Sequence, residues 1–207
     1  MLNLVLSNVS SVVDGEYIVV VPPDYDLIKK AVNQKVKYVV QTEPRGTGDA
    51  VNIALQFSNY ENIVVINGDV PLIEGPIINS MINNHIKSKA AATLLTADLN
   101  SPKKLGRIVR DQDGNIKRIF EVDVEDDIQP GITEINSGVY CFNKNLLDIY
   151  LRKIQQSKSG EIYLTDVIEL LSNKGEFIDS IRLSNVERVK FGIDSKFDLE
   201  IGNSYLR

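Results

Sequence analysis

The chain is poor in the residues that build the most easily read sites. In 207 residues it holds one cysteine, Cys141, and one histidine, His85. A single cysteine excludes an internal disulfide, and the apolar run around Cys141 points to a buried small side chain. A single histidine argues against a histidine-based triad. His85 lies among polar neighbours in the helix-like stretch 77–89, so it is expected on the surface, neither base nor ligand. No block of Lys or Arg stands out, and a formal net charge of -5 has its signs interspersed. Nucleic acid is therefore an unexpected partner. No apolar run approaches a membrane span. The start Met1-Leu2-Asn3-Leu4-Val5-Leu6 has no basic region and no small-residue cleavage site, so no signal peptide is read and a cytoplasmic location is expected.

What is present suits one α/β domain, or one with a small insertion. At 43% hydrophobic and 25% charged the chain can bury a sizeable core. Leu2, Val5, Leu6, Val9, Val12 and Val13 recur at helical spacing. Strands are expected at 17–21, 36–40, 63–66 and 91–97. Helices are expected between them, at 24–32 with Asp24 as N-cap, at 49–57 and at 76–87. Alternating elements of this length imply a mostly parallel sheet with helices on both faces. The pattern then changes. Asp113-Gly114 between Arg107-Ile108-Val109 and 116–120 is a strong hairpin signal. The acidic stretch 122–130 reads as a loop, 135–142 as a strand, 146–154 and 165–171 as helices, 177–183 as an edge strand and 197–206 as a last helix.

Several polar stretches follow strands and precede helices, where ligands bind in open α/β sheets. The run Ile63-Val64-Val65-Ile66-Asn67-Gly68-Asp69 puts a carboxylate at a strand's carboxyl end. Asp69 is either a turn or cap residue, or a ligand holding a metal against a phosphate. Gln41 ends a strand, and Gly46-Thr47-Gly48 opens a helix; glycines there serve a tight turn or let backbone N–H groups approach a base or phosphate. Gly106, Glu121 and Asn136 lie around the hairpin, with residue types that hold sugars or cap loops. Tyr163-Leu164-Thr165-Asp166 precedes a helix that Thr165 could simply cap. Asp194 ends a second short apolar run, and two aspartates without histidine suit Mg²⁺ better than zinc.

Taken in order, six of these pieces resemble one family. They are Gln41 through Gly48 with Ala50, 67–72, Leu105-Gly106-Arg107-Ile108, Phe120-Glu121, Glu134-Ile135-Asn136-Ser137-Gly138, and Gly160 through Asp166. The family is the pyrophosphorylase domain of bacterial N-acetylglucosamine-1-phosphate uridyltransferases. The resemblance implies an α/β fold of the nucleotide-diphospho-sugar transferase type: a mostly parallel, Rossmann-like sheet with a β-hairpin insertion. It implies attack of N-acetylglucosamine 1-phosphate on the α-phosphorus of UTP, giving UDP-N-acetylglucosamine and pyrophosphate with Mg²⁺ as cofactor. By motif match Gln41, Gly46 and Thr47 hold the uracil. Gly106, Glu121, Asn136, Tyr163 and Thr165 hold the N-acetylglucosamine part. Asp69 and Asp194 hold the metal, Asp194 standing where the close family has Asn.

The chain departs from the family in several places. Nothing in it matches the Gly-rich loop G-x-G-T-R-M, or the later Lys, that cradle the triphosphate. No catalytic residue is therefore assigned. The expectation is one nucleotidyltransferase domain over 1–207, N-terminally truncated, with an interior sheet edge left open and doubtful turnover. Two alternatives follow: a non-catalytic relative that binds a nucleotide sugar, or a transferase for another sugar 1-phosphate. Pro44 replaces a second base-contacting Gln of some members, and Asp123 stands where many have Lys.

Overall fold

The computed structural model describes residues 1–102, 104–122, 131–157 and 160–184. Asp194, Asp123 and the helix expected at 197–206 lie outside the described residues, as does most of the acidic loop. The elements run α1 (Leu2–Ser10), β1 (Ile18–Val21), α2 (Asp26–Ala31), β2 (Lys37–Val40), α3 (Thr47–Leu55), β3 (Asn62–Ile66) and α4 (Gly75–Ser88). Then follow β4 (Ala92–Asp98), β5 (Arg107–Arg110), β6 (Ile116–Phe120), β7 (Glu134–Asn143), α5 (Lys144–Leu151), α6 (Asp166–Asn173) and β8 (Ile178–Leu183).

Local chemistry sets most of the boundaries. Pro76 stands in the first turn of α4, where its missing N–H costs nothing, and Lys89 ends the helix in the left-handed conformation at φ 54°. Asn143 ends β7 and caps α5, its Oδ1 accepting from Leu146 N at 3.1 Å. The hairpin turn is held by Asp111, whose Oδ1 accepts from Asp113 N at 3.0 Å and Asn115 N at 2.8 Å. Asp24 is not the cap expected of it. Helix α2 starts two residues later with no side-chain cap bond, and Asp26 supplies the negative charge of its first turn.

The α/β class holds, with helices on both faces. One face of the main sheet packs Leu94, Tyr140 and Phe142 against Leu55 of α3, Leu147 and Leu151 of α5 and Ile168 and Leu171 of α6. The other packs Leu95, Val139 and Cys141 against Ile78 and Met81 of α4, with Val9 of α1 alongside. The direction of strand pairing departs from the expectation. Strand β7 lies between β3 and β4 and is antiparallel to both, and it also pairs antiparallel with β5. Among the described residues only β1–β2 and β4–β8 are parallel ladders. Helix α4 lets β3 and β4 run the same way, but the β5–β6 hairpin reverses the chain, and β7 keeps that reversed direction, antiparallel to β3, β4 and β5. The pair β1–β2 forms its own two-stranded sheet. Among the described residues β3 has a partner on one side only, and all five of its residues are half-buried.

His85 is also a correction. It is buried, 2% exposed, between α4 and β4, where its Nδ1 is 2.9 Å from the Thr93 hydroxyl. The polar neighbours in sequence occupy the other faces of the helix. Cys141 is buried as expected, and burial pushes its thiol up to about 12. No helix among the described residues is long and apolar enough to cross a membrane.

Candidate functional site

The site begins where two strands on the same side of β7 part. Ile66 of β3 pairs with Val139, and Arg107 of β5 pairs with Ile135. Beyond those pairs, Asn67 N donates to Gly138 O at 3.1 Å, and Asn136 N donates to Gly106 O at 2.9 Å. These anchors are two residues apart on β7, about 7 Å at ordinary strand rise. Between them the backbones of 67–69 and of Gly106 diverge over Asn136-Ser137-Gly138. A crevice at such a parting of strands is where open α/β sheets bind ligands. The structure thus brings Gly106 to Asn136 and anchors the turn that carries Asp69 two residues further along β7.

Each wall is held in its own way. Gly138 has φ +76°, and a Cβ there would meet Asn67 Nδ2 at 2.7 Å, so glycine is what lets the 67–70 turn lie against β7. The turn closes with Val70 N to Asn67 O at 3.2 Å, and Asp69 sits half-buried within it. Gly106 lies against Glu121: a Cβ would stand 3.1 Å from Glu121 Oε2. Asn136 Nδ2 donates to the Tyr140 hydroxyl at 2.6 Å, and its Oδ1 accepts from Gly138 N at 3.2 Å. That leaves Asn136 one N–H and one acceptor direction for a ligand. Tyr140 is buried; desolvation raises its phenol well above the ordinary value and the Glu121 charge adds to the rise, against the bond from Asn136, so the hydroxyl stays neutral. Sequence reasoning missed Tyr140, Asn67 and Gly138 as site supports. Their signal was only the β7 alternation that puts 136, 138 and 140 on one face.

The second cluster is the loop between β2 and α3. Gly48 N donates to Ile162 O at 2.8 Å, Ile162 N to Arg45 O at 2.7 Å, and Leu164 N to the Thr47 hydroxyl at 3.0 Å. The loop and the Tyr163 segment are therefore one stitched unit. Gly46 has φ +103°, and a Cβ on it would meet Ile162 O at 2.6 Å. This glycine serves the contact with 162 as well as any ligand. Gln41 Nε2 donates to Asp49 Oδ2 at 2.8 Å and to Gly46 O at 3.2 Å. Asp49 is buried and also accepts from Arg45 at 3.0 Å. Nothing in the sequence marked Asp49, which reads as a first-turn helix acid. Thr165 occupies the N-cap position of α6 but makes no cap bond, and its buried hydroxyl has no hydrogen-bond partner among the described residues.

Glu134, two residues before Asn136 on β7, belongs to a clamp. Its carboxylate accepts from Arg110 at 2.7 and 2.8 Å and from Arg182 at 2.6 Å, tying β5, β7 and β8 together. Asp69 carries a hard carboxylate oxygen, the donor type that Mg²⁺ takes together with phosphates. Among the described residues no group of three or more Asp, Glu, His or Cys side chains gathers around a common point.

A helix-flanked sheet with a glycine-turned loop after one strand and amide side chains where two others part is an architecture that α/β nucleotide-using enzymes share. The sequence model of the nucleotidyl transferase family matches residues 1–183, and the chain belongs to that family. It is 36% identical over 195 residues to the bifunctional protein GlmU of Acetivibrio thermocellus, covering 93% of this chain and 42% of that protein. The bifunctional protein GlmU of Clostridioides difficile is 34% identical over 192 residues, again 42% of its length. The chain thus spans less than half of the curated relatives it matches. Among solved structures, a putative glucose-1-phosphate thymidylyltransferase from Bacillus anthracis, in complex with a sucrose, superposes with a TM-score of 0.72 at 18% identity. That match covers 99% of this chain and 80% of the other. HddC from Yersinia pseudotuberculosis superposes at 0.68 with 17% identity, over 98% and 84%. These two likenesses concern the fold.

Proposed function

We propose that this domain transfers a uridylyl group from UTP to N-acetylglucosamine 1-phosphate, forming UDP-N-acetylglucosamine and pyrophosphate. The observation that carries the proposal is the parting of β3 and β5 on β7. The turn that carries Asp69 is bonded to β7 at Gly138, two residues from Asn136, and Gly106, bonded to Asn136, lies against Glu121. Gln41 and the 46–48 loop hold the uracil. Gly106 leaves room for the sugar, Glu121 accepts from its hydroxyls, and Asn136, Tyr163 and Thr165 contact the rest. Asp69, with Asp194, would hold Mg²⁺, which neutralises phosphate charge when bound. The protein's contribution is position: two substrates fixed so that the sugar phosphate oxygen lies in line with the α-phosphorus.

A second reading, a nucleotide-sugar-binding domain without turnover, is favoured by the one-sided pairing of β3 and the separate β1–β2 sheet. One experiment separates them. The chain is incubated with UTP, N-acetylglucosamine 1-phosphate and Mg²⁺ while pyrophosphate and UDP-N-acetylglucosamine are followed; binding of the latter is measured by calorimetry. Product formation that scales with protein and is lost in Asn136→Ala supports the transferase. Binding without product supports the second reading. Neither product nor binding sinks both.

A further inference from the structure

Gln41 has a hydrogen-bond arrangement with only one solution. Its Nε2 faces a carboxylate oxygen of Asp49 at 2.8 Å and the carbonyl oxygen of Gly46 at 3.2 Å. Both are acceptors, so the atom facing them is the nitrogen, and its two hydrogens are both used. The amide cannot turn over without setting its oxygen against a carboxylate. Asp49 is itself fixed: it is 5% exposed, lies in the first turn of α3, and is held by Arg45 at 3.0 Å. The outward face of the half-buried Gln41 amide is therefore its Oε1, an acceptor only.

We propose that Asp49 is a specificity-positioning residue that makes Gln41 a reader of imide bases. The inference rests on the proposed function in taking Gln41 to face the base. An acceptor held in place pairs with an N–H donor on the ring edge, as at N3 of uracil or thymine. Cytosine presents an unprotonated nitrogen at that position, and two acceptors then face each other. An unrestrained glutamine would turn its amide and accept either base. Asp49 removes that choice, so discrimination comes from a residue that does not touch the ligand.

The test uses the full chain, titrated with uridine 5′-monophosphate and cytidine 5′-monophosphate and followed by amide chemical shifts, which detect weak binding. The wild type is expected to bind the uridine nucleotide more tightly by about tenfold, the scale of one well-placed base contact. In Asp49→Ala and the near-isosteric Asp49→Asn the ratio falls to about threefold or less, since Gln41 can then present either face. The two side-chain N–H signals of Gln41, separate and protected from exchange in the wild type, lose that protection in Asp49→Ala. Gln41→Ala removes the preference entirely. A ratio unchanged in both Asp49 variants, with Gln41→Ala still abolishing it, overturns the role of Asp49 and leaves Gln41 at the base. If Gln41→Ala changes neither affinity, or the wild type titrates with neither nucleotide, the base subsite is misplaced and the inference falls with it.

Discussion

Asn136 shows how one side chain serves both the fold and the crevice. It donates to Tyr140, which is 3% exposed, and accepts from Gly138 N. Asn136→Ala leaves a buried phenol without its donor and is expected to cost about 1–3 kcal/mol in urea unfolding. Tyr140→Phe removes the phenol that needs that donor and should cost less, while leaving Asn136 free to turn. A larger loss in Tyr140→Phe than in Asn136→Ala would show that the bond is not what holds this wall. His85 gives a second prediction at this scale. Desolvation lowers its pKa below the ordinary value, with Asp179 opposing. As pH falls through about 6.5 the unfolded chain takes the proton first. The stability contributed by neutral His85 is complete above that pH and declines below it. His85→Gln should flatten the dependence of the unfolding midpoint between about pH 5 and 6.5; an unchanged slope would assign the decline to other groups. Sequence alone had His85 exposed because polar neighbours say nothing of which helix face meets the sheet.

At the scale of elements, two devices hold the site walls. The first is the glycine contact between the 46–48 loop and 160–164. Gly46→Ala meets both a left-handed backbone and Ile162 O at 2.6 Å, so the two segments must part. The expected loss is about 1–3 kcal/mol, with weaker nucleotide binding. Gly114→Ala is the control: its φ is +85° but nothing lies within 4 Å, so only the turn is strained, and binding should be unaffected. Equal effects of the two on binding would refute the stitched-loop account. The second device is the Glu134 clamp. Burial raises the Glu134 pKa, but the hydrogen bonds from Arg110 and the charges of Arg110 and Arg182 win, and the group ends below its ordinary value. A carboxylate so lowered contributes stability that is present above about pH 4.5 and is lost as pH falls through its folded pKa. Glu134→Gln should therefore lower stability at neutral pH and remove part of the acid transition in a denaturation series. The elements themselves were legible: each helix and strand expected within the described residues is present, with ends shifted by a few residues. Their boundaries follow local signals such as Pro76, Asp113-Gly114 and Asn143. The clamp was not legible, because its members lie on three strands and meet only after register is set.

At the scale of the molecule, periodicity marks where strands are but not which strands pair. Val64 and Val139 read alike as strand residues, and only the finished sheet shows that their strands pair with each other antiparallel. The candidate site was legible as an ordered series of short motifs, from Gln41 to Thr165, and not as a crevice, since the parting of β3 and β5 depends on that pairing. The same topology makes a global prediction. Strand β4 is paired on both sides, by β7 and β8, and six of its seven residues are buried. The pair β1–β2 has four residues in each strand, and only Val21 and Val39 are buried. Amide exchange reports the free energy of the opening that exposes each bond, and poorly buried, short ladders open without the rest. Amides of β4 should exchange only through global unfolding. Those of β1 and β2 should exchange at least about tenfold faster, with a weaker dependence on added denaturant. On the proposed function the loop that leaves β2 holds the base, and uridine 5′-monophosphate should then slow β2 exchange more than β4 exchange. Equal protection across both sheets in the free chain would show instead that β1–β2 is cooperative with the core.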